Sequence, residues 1–347
     1  MTHVGIDVHE LESQICVIDD HGEVLAECRV TTRRDRLQKA LEAYPGSRVL
    51  LEACNESEWV ARHLELCGHV VVVGDPNYTP MYGHRHPGYK TDRRDASALA
   101  SACQQGLYRP AHRVSEARRM VRAELVTRDA LVRTRTRYIS VMRARLRSEG
   151  WRVRSGDAST FVTRVGELAL EPALLDQLRP LLRIMEALNR EIAAADRTLE
   201  QKAKAESIVR RLQSTPQVGP ITALAFVAAL DDVRRFRNAH QVESYLGLVP
   251  RERSSGEHQV RGHITKTGDK RTRWLLVETA WRVMHSRSPE LAALQAWAAK
   301  IGTRRGRAVA AVALARRLAG ILYAMWRDDT AYCGEKLTSR SKLLKAC

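Results

Sequence analysis

Apolar positions fall first in short blocks and then in long stripes, and the change of period sets the expected architecture. The run His3-Val4-Gly5-Ile6-Asp7-Val8 is followed by Ser13-Gln14-Ile15-Cys16-Val17-Ile18-Asp19, a polar turn at Asp20-His21-Gly22, and a third block from Val24 to Val30. Short alternating blocks separated by turn residues predict three strands of an antiparallel meander. Arg48-Val49-Leu50-Leu51 predicts a fourth strand ending at Glu52, residues 58–67 a helix, and Val70 to Val73 a fifth strand stopped by Gly74-Asp75-Pro76. A further helix is expected from Asp92 to about Gln105, before Gly106.

Three strands followed by alternating strand and helix is the order of a ribonuclease-H-like sheet, in which acids at the ends of separate strands and on a late helix converge. Beyond residue 111 the period lengthens. Between Ser115 and Glu149, without proline or glycine, Leu125, Val132, Ile139 and Leu146 recur every seven residues, a coiled-coil-like seam. After a break from Gly150 to Pro172, a second heptad pattern runs through Leu175, Leu178, Leu182, Met185, Asn189, Ile192, Asp196 and Leu199. Polar Asn189 and Asp196 at repeated positions favour one register and few strands. The pattern suits pairing with the first long helix or self-association, of which self-association is favoured, and Pro180 predicts a kink or a late start.

The segment Leu212 to Ala225, with Pro216-Gln217-Val218-Gly219-Pro220 at its turn, reads as a helix-hairpin-helix whose second amino end faces phosphate. Residues 236–248 read as helical, 250–269 as a polar loop, and 270–285 and 307–326 as packed helices. The divisions expected are 1–111, a helical coiled-coil region at 112–205, a mainly helical domain at 206–330, and a basic tail at 331–347.

Charge changes the picture. The 347 residues carry a formal net charge of +17, which directs the chain toward a polyanion through salt-sensitive attraction to phosphate. Between Arg113 and Arg152 there are 12 arginines against four acids, Glu116, Glu124, Asp129 and Glu149. Arg118, Arg122, Arg133 and Arg137 are therefore expected on nucleic acid, with Gly219 in the hairpin and Arg251, Arg261 and Lys266 in the later polar segment. No apolar run of about 18 residues and no signal-peptide pattern is read, so a cytoplasmic protein without a membrane partner is expected. The cysteines at 16, 28, 54, 67, 103, 333 and 347 form no CxxC pair, which argues against zinc.

The candidate chemistry centres on Asp92 and Asp95, three residues apart and so on one helix face, flanked by Lys90, Arg93 and Arg94. With Asp7 and Glu52 at strand ends they make four carboxylates. Two of them about 4 Å apart at an effective dielectric of about 20 repel by roughly 4 kcal/mol. A converging set needs a cation or shared protons, and a hard divalent ion such as Mg²⁺ suits oxygen ligands. His84 and His86 read as loop residues. Ser255 beside Gly256 could serve as a nucleophile if a base and charge stabilisation were supplied, which neighbouring His258 and His263 do not provide.

Taken in order, Gly5-Ile6-Asp7, Leu51-Glu52-Ala53, Lys90 to Ala96, the Pro216–Pro220 turn, Leu246-Gly247-Leu248-Val249-Pro250, Ser255-Gly256 and Thr265-Lys266-Thr267-Gly268 make the chain resemble bacterial transposases of the IS116/IS110/IS902 type over nearly all of residues 1 to 330. The resemblance implies a RuvC-like mixed-sheet domain, a helical coiled-coil region and a transposase domain. It implies an Mg²⁺-binding tetrad of Asp7, Glu52, Asp92 and Asp95, and Ser255 as nucleophile in a covalent DNA-serine intermediate. Donor and target DNA, a structured noncoding guide RNA and a homo-oligomer, dimer or tetramer, are the implied partners. Two departures stand out: Ala53-Cys54-Asn55 replaces a common Ala-Thr-Gly, and His9-Glu10 stands where many members carry lysine. A RuvC-type nuclease using metal-activated water would need only the tetrad, and a non-catalytic nucleic-acid scaffold would leave the tetrad without a role.

Overall fold

The computed structural model of the chain describes residues 1–83, 91–255 and 258–334, and for 253–255 and 258–261 the backbone alone. The expectations for His84, His86, Lys90, Gly256 and the tail cations from Lys336 onward lie outside the described residues. Two compact units result, Met1–Val114 and Ser115–Cys347.

In the first unit, strands β1 (His3–Val8), β2 (Glu12–Ile18), β3 (Val24–Thr31), β4 (Arg48–Glu52) and β5 (Val70–Gly74) form one sheet in the order β3-β2-β1-β4-β5. The first three pair antiparallel, and β1, β4 and β5 run parallel, so the sheet is mixed. Alternation sorts the side chains. Val4, Ile6, Ile15, Val17, Val49 and Leu51 pack on one face against Leu37 and Leu41 of α1 (Arg34–Leu41) and Val60 and Leu64 of α2 (Ser57–Leu66). The short α1 was not anticipated from the sequence.

On the other face lies α3 (Asp92–Gln105), whose Ala96, Leu99, Ala100 and Cys103 cover Cys16, Ile18 and Leu50. Gly5 permits this approach: a Cβ there would sit 2.1 Å from the Ala96 carbonyl oxygen and 2.2 Å from the Ala100 nitrogen. The helix begins at Thr91, whose hydroxyl accepts from the Arg94 amide, and stops at Gly106 in the left-handed region. Asp92 and Asp95 therefore stand at the end of α3 that overlies the carboxyl-terminal end of β1.

The second unit is helical apart from one hairpin. Helices α4 (Glu116–Ser148) and α6 (Pro172–Ala205) pair antiparallel, with α5 (Phe161–Gly166) packed where Met142 and Leu146 meet Leu178 and Met185. Every seventh residue of the predicted α6 seam, Leu178, Met185, Ile192 and Leu199, is buried. The polar positions face α4 of the same chain: Arg135 Nη1 donates to Asn189 Oδ1 at 3.0 Å, and Arg128 Nε to Asp196 Oδ1 at 2.6 Å. This corrects the favoured use of that seam, because its register-setting groups are occupied within the chain. Pro180 lies inside α6, which starts at Pro172, so of the expected kink or late start the late start is ruled out.

Helices α7 (Ser207–Leu212), α8 (Pro220–Leu230), α9 (Ala239–Tyr245), α10 (Lys270–His285), α11 (Ala292–Arg305) and α12 (Arg307–Arg327) build the rest of the core. Helix α12 is long and apolar enough to cross a membrane by length and composition, contrary to the expected lack of such a run, but its Leu314, Leu318, Leu322 and Tyr323 lie in that core. The polar segment expected as loop forms the antiparallel hairpin β6 (Pro250–Ser255) and β7 (His258–Ile264). A two-stranded ribbon need not bury a face, so it leaves no alternating apolar signature. The glycine motifs on either side interlock. Gly247 and Gly268, both at positive φ, would drive a Cβ into the Thr267 and Tyr245 backbones, and Arg273 donates to Leu246 O and Thr267 O across the junction.

Candidate metal centre and nucleic-acid faces

Asp7 is the next-to-last residue of β1, on the face that Gly5 opens to α3, and it is nearly buried. Two residues on, His9 continues the same side of the chain past the strand end. Its Nε2 lies 3.2 Å from Asp7 Oδ2 and 3.7 Å from Asp92 Oδ1. One ligating atom from each of Asp7, His9 and Asp92 falls within 4.8 Å of the others.

The electrostatics agree with a charged cluster. Burial pushes the Asp7 carboxyl above the usual carboxylate range; His9 opposes the shift, while the negative charges of Asp95 and Asp92 add to it. Asp95 is thus coupled to Asp7 from one turn into α3, where it is buried. Arg29 reaches from β3, its Nη2 donating to Asp92 Oδ2 at 2.8 Å and its Nη1 3.5 Å from Glu12. With Asp92 Oδ2 engaged by the arginine, Oδ1 is the oxygen turned toward His9. The cross-strand register explains the reach, since Asp7 pairs with Gln14 and Gln14 with Arg29.

Glu52 ends β4. Ile6 pairs with Leu51 in the parallel ladder, so one further step sets Glu52 beside Asp7, on the face Leu50 shares with α3. Its carboxylate is not part of the three-residue group. Of the four acids expected together, the fold therefore brings Asp7, Asp92 and Asp95 into electrostatic contact and leaves Glu52 as their half-buried strand neighbour. His9 and Arg29 were missed as members of the site. The available signal was period-two alternation, which puts His9 on the side of Asp7, but an exposed histidine beyond a strand end gives little reason to apply it.

Oxygen donors from carboxylates with one imidazole nitrogen can coordinate a divalent metal without selecting Mg²⁺. The donor set fits such an ion: the acids repel one another and a buried member is pushed toward protonation, which a cation would reverse.

The expected nucleic-acid contacts divide. Arg118 Nη1 donates to Glu206 at 2.7 Å, and Arg122 donates to the carbonyls of Ala228 and Ala229 near the end of α8 at 2.7 and 2.8 Å. Both are engaged inside the second unit. Arg133 is exposed and pairs with Asp129 at 2.9 Å, and Arg137 is exposed. Arg251 is exposed on β6, and Lys266 is exposed with φ 58° after the hairpin. Gly219 caps the start of α8, a helix buried from Thr222 to Leu230, which favours a core role for that hairpin. The side chain of Arg261 lies outside the described residues. Ser255 ends β6 with its backbone opposite His258; its side chain too lies outside them.

Two family models match. One, DEDD_Tnp_IS110, described as transposase, covers residues 4–149, and another, described as transposase of the IS116/IS110/IS902 family, covers residues 209–296. Among similar proteins, a "Probable family 20 transposase" of Pseudomonas aeruginosa is 31% identical, over 96% of this chain and 98% of its own. The transposase for insertion sequence element IS1111A of Coxiella burnetii is 31% identical over 95% of this chain and 91% of its own. The transposase for IS1328 of Yersinia enterocolitica is 28% identical over 96% and 98%.

These findings correct the expected covalent route. The DEDD-type domain spans the acidic group, and Asp7, His9 and Asp92 form a group that could hold a divalent metal, which points to nuclease chemistry of the RuvC type rather than a DNA-serine intermediate. Such chemistry uses activated water and needs no protein nucleophile. Similar along nearly its whole length to these proteins, the chain belongs to the IS116/IS110/IS902 transposase family, and it is an enzyme of phosphoryl transfer acting on DNA.

Proposed function

We propose that the first unit is a RuvC-like nuclease centre that cuts donor and target DNA by attack of water, with Asp7, Asp92, Asp95 and Glu52 as its acidic tetrad. The observation that carries this is the meeting of Asp7, His9 and Asp92 where the end of β1 meets the start of α3. Asp7 and Asp92 would hold a divalent cation, Mg²⁺ in the first instance, with Asp95 and Glu52 close by. A bound divalent ion supplies Lewis-acid stabilisation of phosphoryl oxygens and lowers the pKa of water. Arg29 orients Asp92 by holding one of its oxygens, and Gly5 sets the depth at which α3 presents both aspartates.

In the second unit the exposed Arg133, Arg137, Arg251 and Lys266 are the proposed phosphate contacts, supported by the +17 charge. A guide RNA and a homo-oligomer are proposed from the family resemblance, and the basic surface suits a second nucleic-acid partner. On this reading the nuclease domain ends near residue 111 and the helical coiled-coil region near residue 205. The test is strand cleavage of element-end DNA. Asp7→Asn and Asp92→Asn are expected to lower cleavage more than about a hundredfold, with DNA binding kept, because they remove ligands but no cationic contact. EDTA is expected to do the same to the unaltered protein. Undiminished cutting by both variants would contradict the assignment.

A further inference from the structure

Resting on that reading, we infer that His9 is itself a ligand of the bound cation and shifts the preference of the centre from Mg²⁺ toward first-row transition ions such as Mn²⁺. Neighbouring donors about 2.1 Å from one octahedral cation stand about 3.0 Å apart, and opposite ones about 4.2 Å. The separations of 3.2 Å from His9 Nε2 to Asp7 and 3.7 Å to Asp92 fall between the neighbouring and the opposite spacing, so small side-chain rotations bring all three to a common ion. The Nε2 atom lies near both carboxylates, and the side chain as a whole is 56% exposed. Burial of the imidazole therefore does not explain its position; convergence on the acids does.

The Arg29 contact supports the same assignment. It occupies Asp92 Oδ2 and leaves Oδ1 on the His9 side, so the arginine orients the carboxylate toward the imidazole. Asp95 adds charge near Asp7 without a nitrogen donor. Mg²⁺ strongly prefers oxygen and sheds water reluctantly, whereas imidazole suits first-row transition ions. One histidine among carboxylates should therefore alter metal choice more than total charge.

The probe is Mn²⁺ added to the full-length protein lacking any histidine tag. Pulsed electron paramagnetic resonance would read nitrogen coupling to the bound ion, and calorimetric competition would give the ratio of Mn²⁺ to Mg²⁺ affinity. Wild type is expected to show histidine nitrogen coupling. His9→Ala, a change at an exposed side chain, is expected to lose it and to lower the affinity ratio on the order of tenfold. Bound Mn²⁺ without nitrogen coupling, or coupling that persists in His9→Ala, would overturn the role of His9 while leaving the carboxylate centre intact. If wild type shows no saturable Mn²⁺ binding, or if binding is indifferent to Asp7→Asn combined with Asp92→Asn, the centre itself fails and the inference falls with it.

Discussion

Asp92 carries two jobs on its two oxygens, one toward Arg29 and the other toward His9, and this division makes Arg29 a positioning residue. Removing the partner of a ligating carboxylate typically costs about 10- to 100-fold in metal affinity. Arg29→Gln is therefore expected to raise the metal concentration for half-maximal binding by roughly that factor, with partial rescue by Arg29→Lys; an unchanged metal titration would remove Arg29 from the site. Gly5 acts by what it lacks. Gly5→Ala would force the α3 backbone outward, with an expected loss of about 1 to 3 kcal/mol or more in urea denaturation together with reduced metal binding. Stability equal to the parent would show that α3 does not bear on β1 as described.

At the scale of elements, α4 performs two tasks that the sequence blends into one. Its arginines looked like a single basic face, yet Arg118, Arg122, Arg128 and Arg135 hold the helical unit together, while Arg133 and Arg137 are exposed. Neutralising Arg133 and Arg137 should flatten the log-log salt dependence of DNA binding by roughly 0.7 to 0.9 for each phosphate contact removed. Arg118→Gln should instead lower stability and leave that slope unchanged. The reverse pattern would exchange their roles. The long helices were legible because their apolar stripes persist for many turns, and β1, β2 and β4 because buried strands concentrate Val, Ile and Leu; β3 and β5, far less buried, were marked by short apolar blocks bounded by turn residues. Helix α1 was not, having only Leu37 and Leu41 as buried anchors, and the β6–β7 ribbon carries no apolar alternation. Asp7, Asp92 and Asp95 could be expected together from strand order and helix spacing. The place of His9 follows from the same period-two alternation carried past the strand end, where an exposed histidine gives little reason to apply it.

The whole molecule combines an acidic centre in one unit with a surplus of positive charge along the chain. On the proposed reading the cations would draw DNA in, and the acids would need a divalent ion before phosphate could approach them. Binding should therefore persist in EDTA while cutting stops. The most direct measurement of the central claim is a single-turnover cleavage reaction in ¹⁸O-labelled water with Mg²⁺ or Mn²⁺, using wild type and Ser255→Ala. The account predicts one ¹⁸O atom in the terminal phosphate of the cut strand, no protein-linked DNA after denaturation, and cleavage retained by Ser255→Ala. DNA recovered covalently bound to wild type and lost with Ser255→Ala would contradict it.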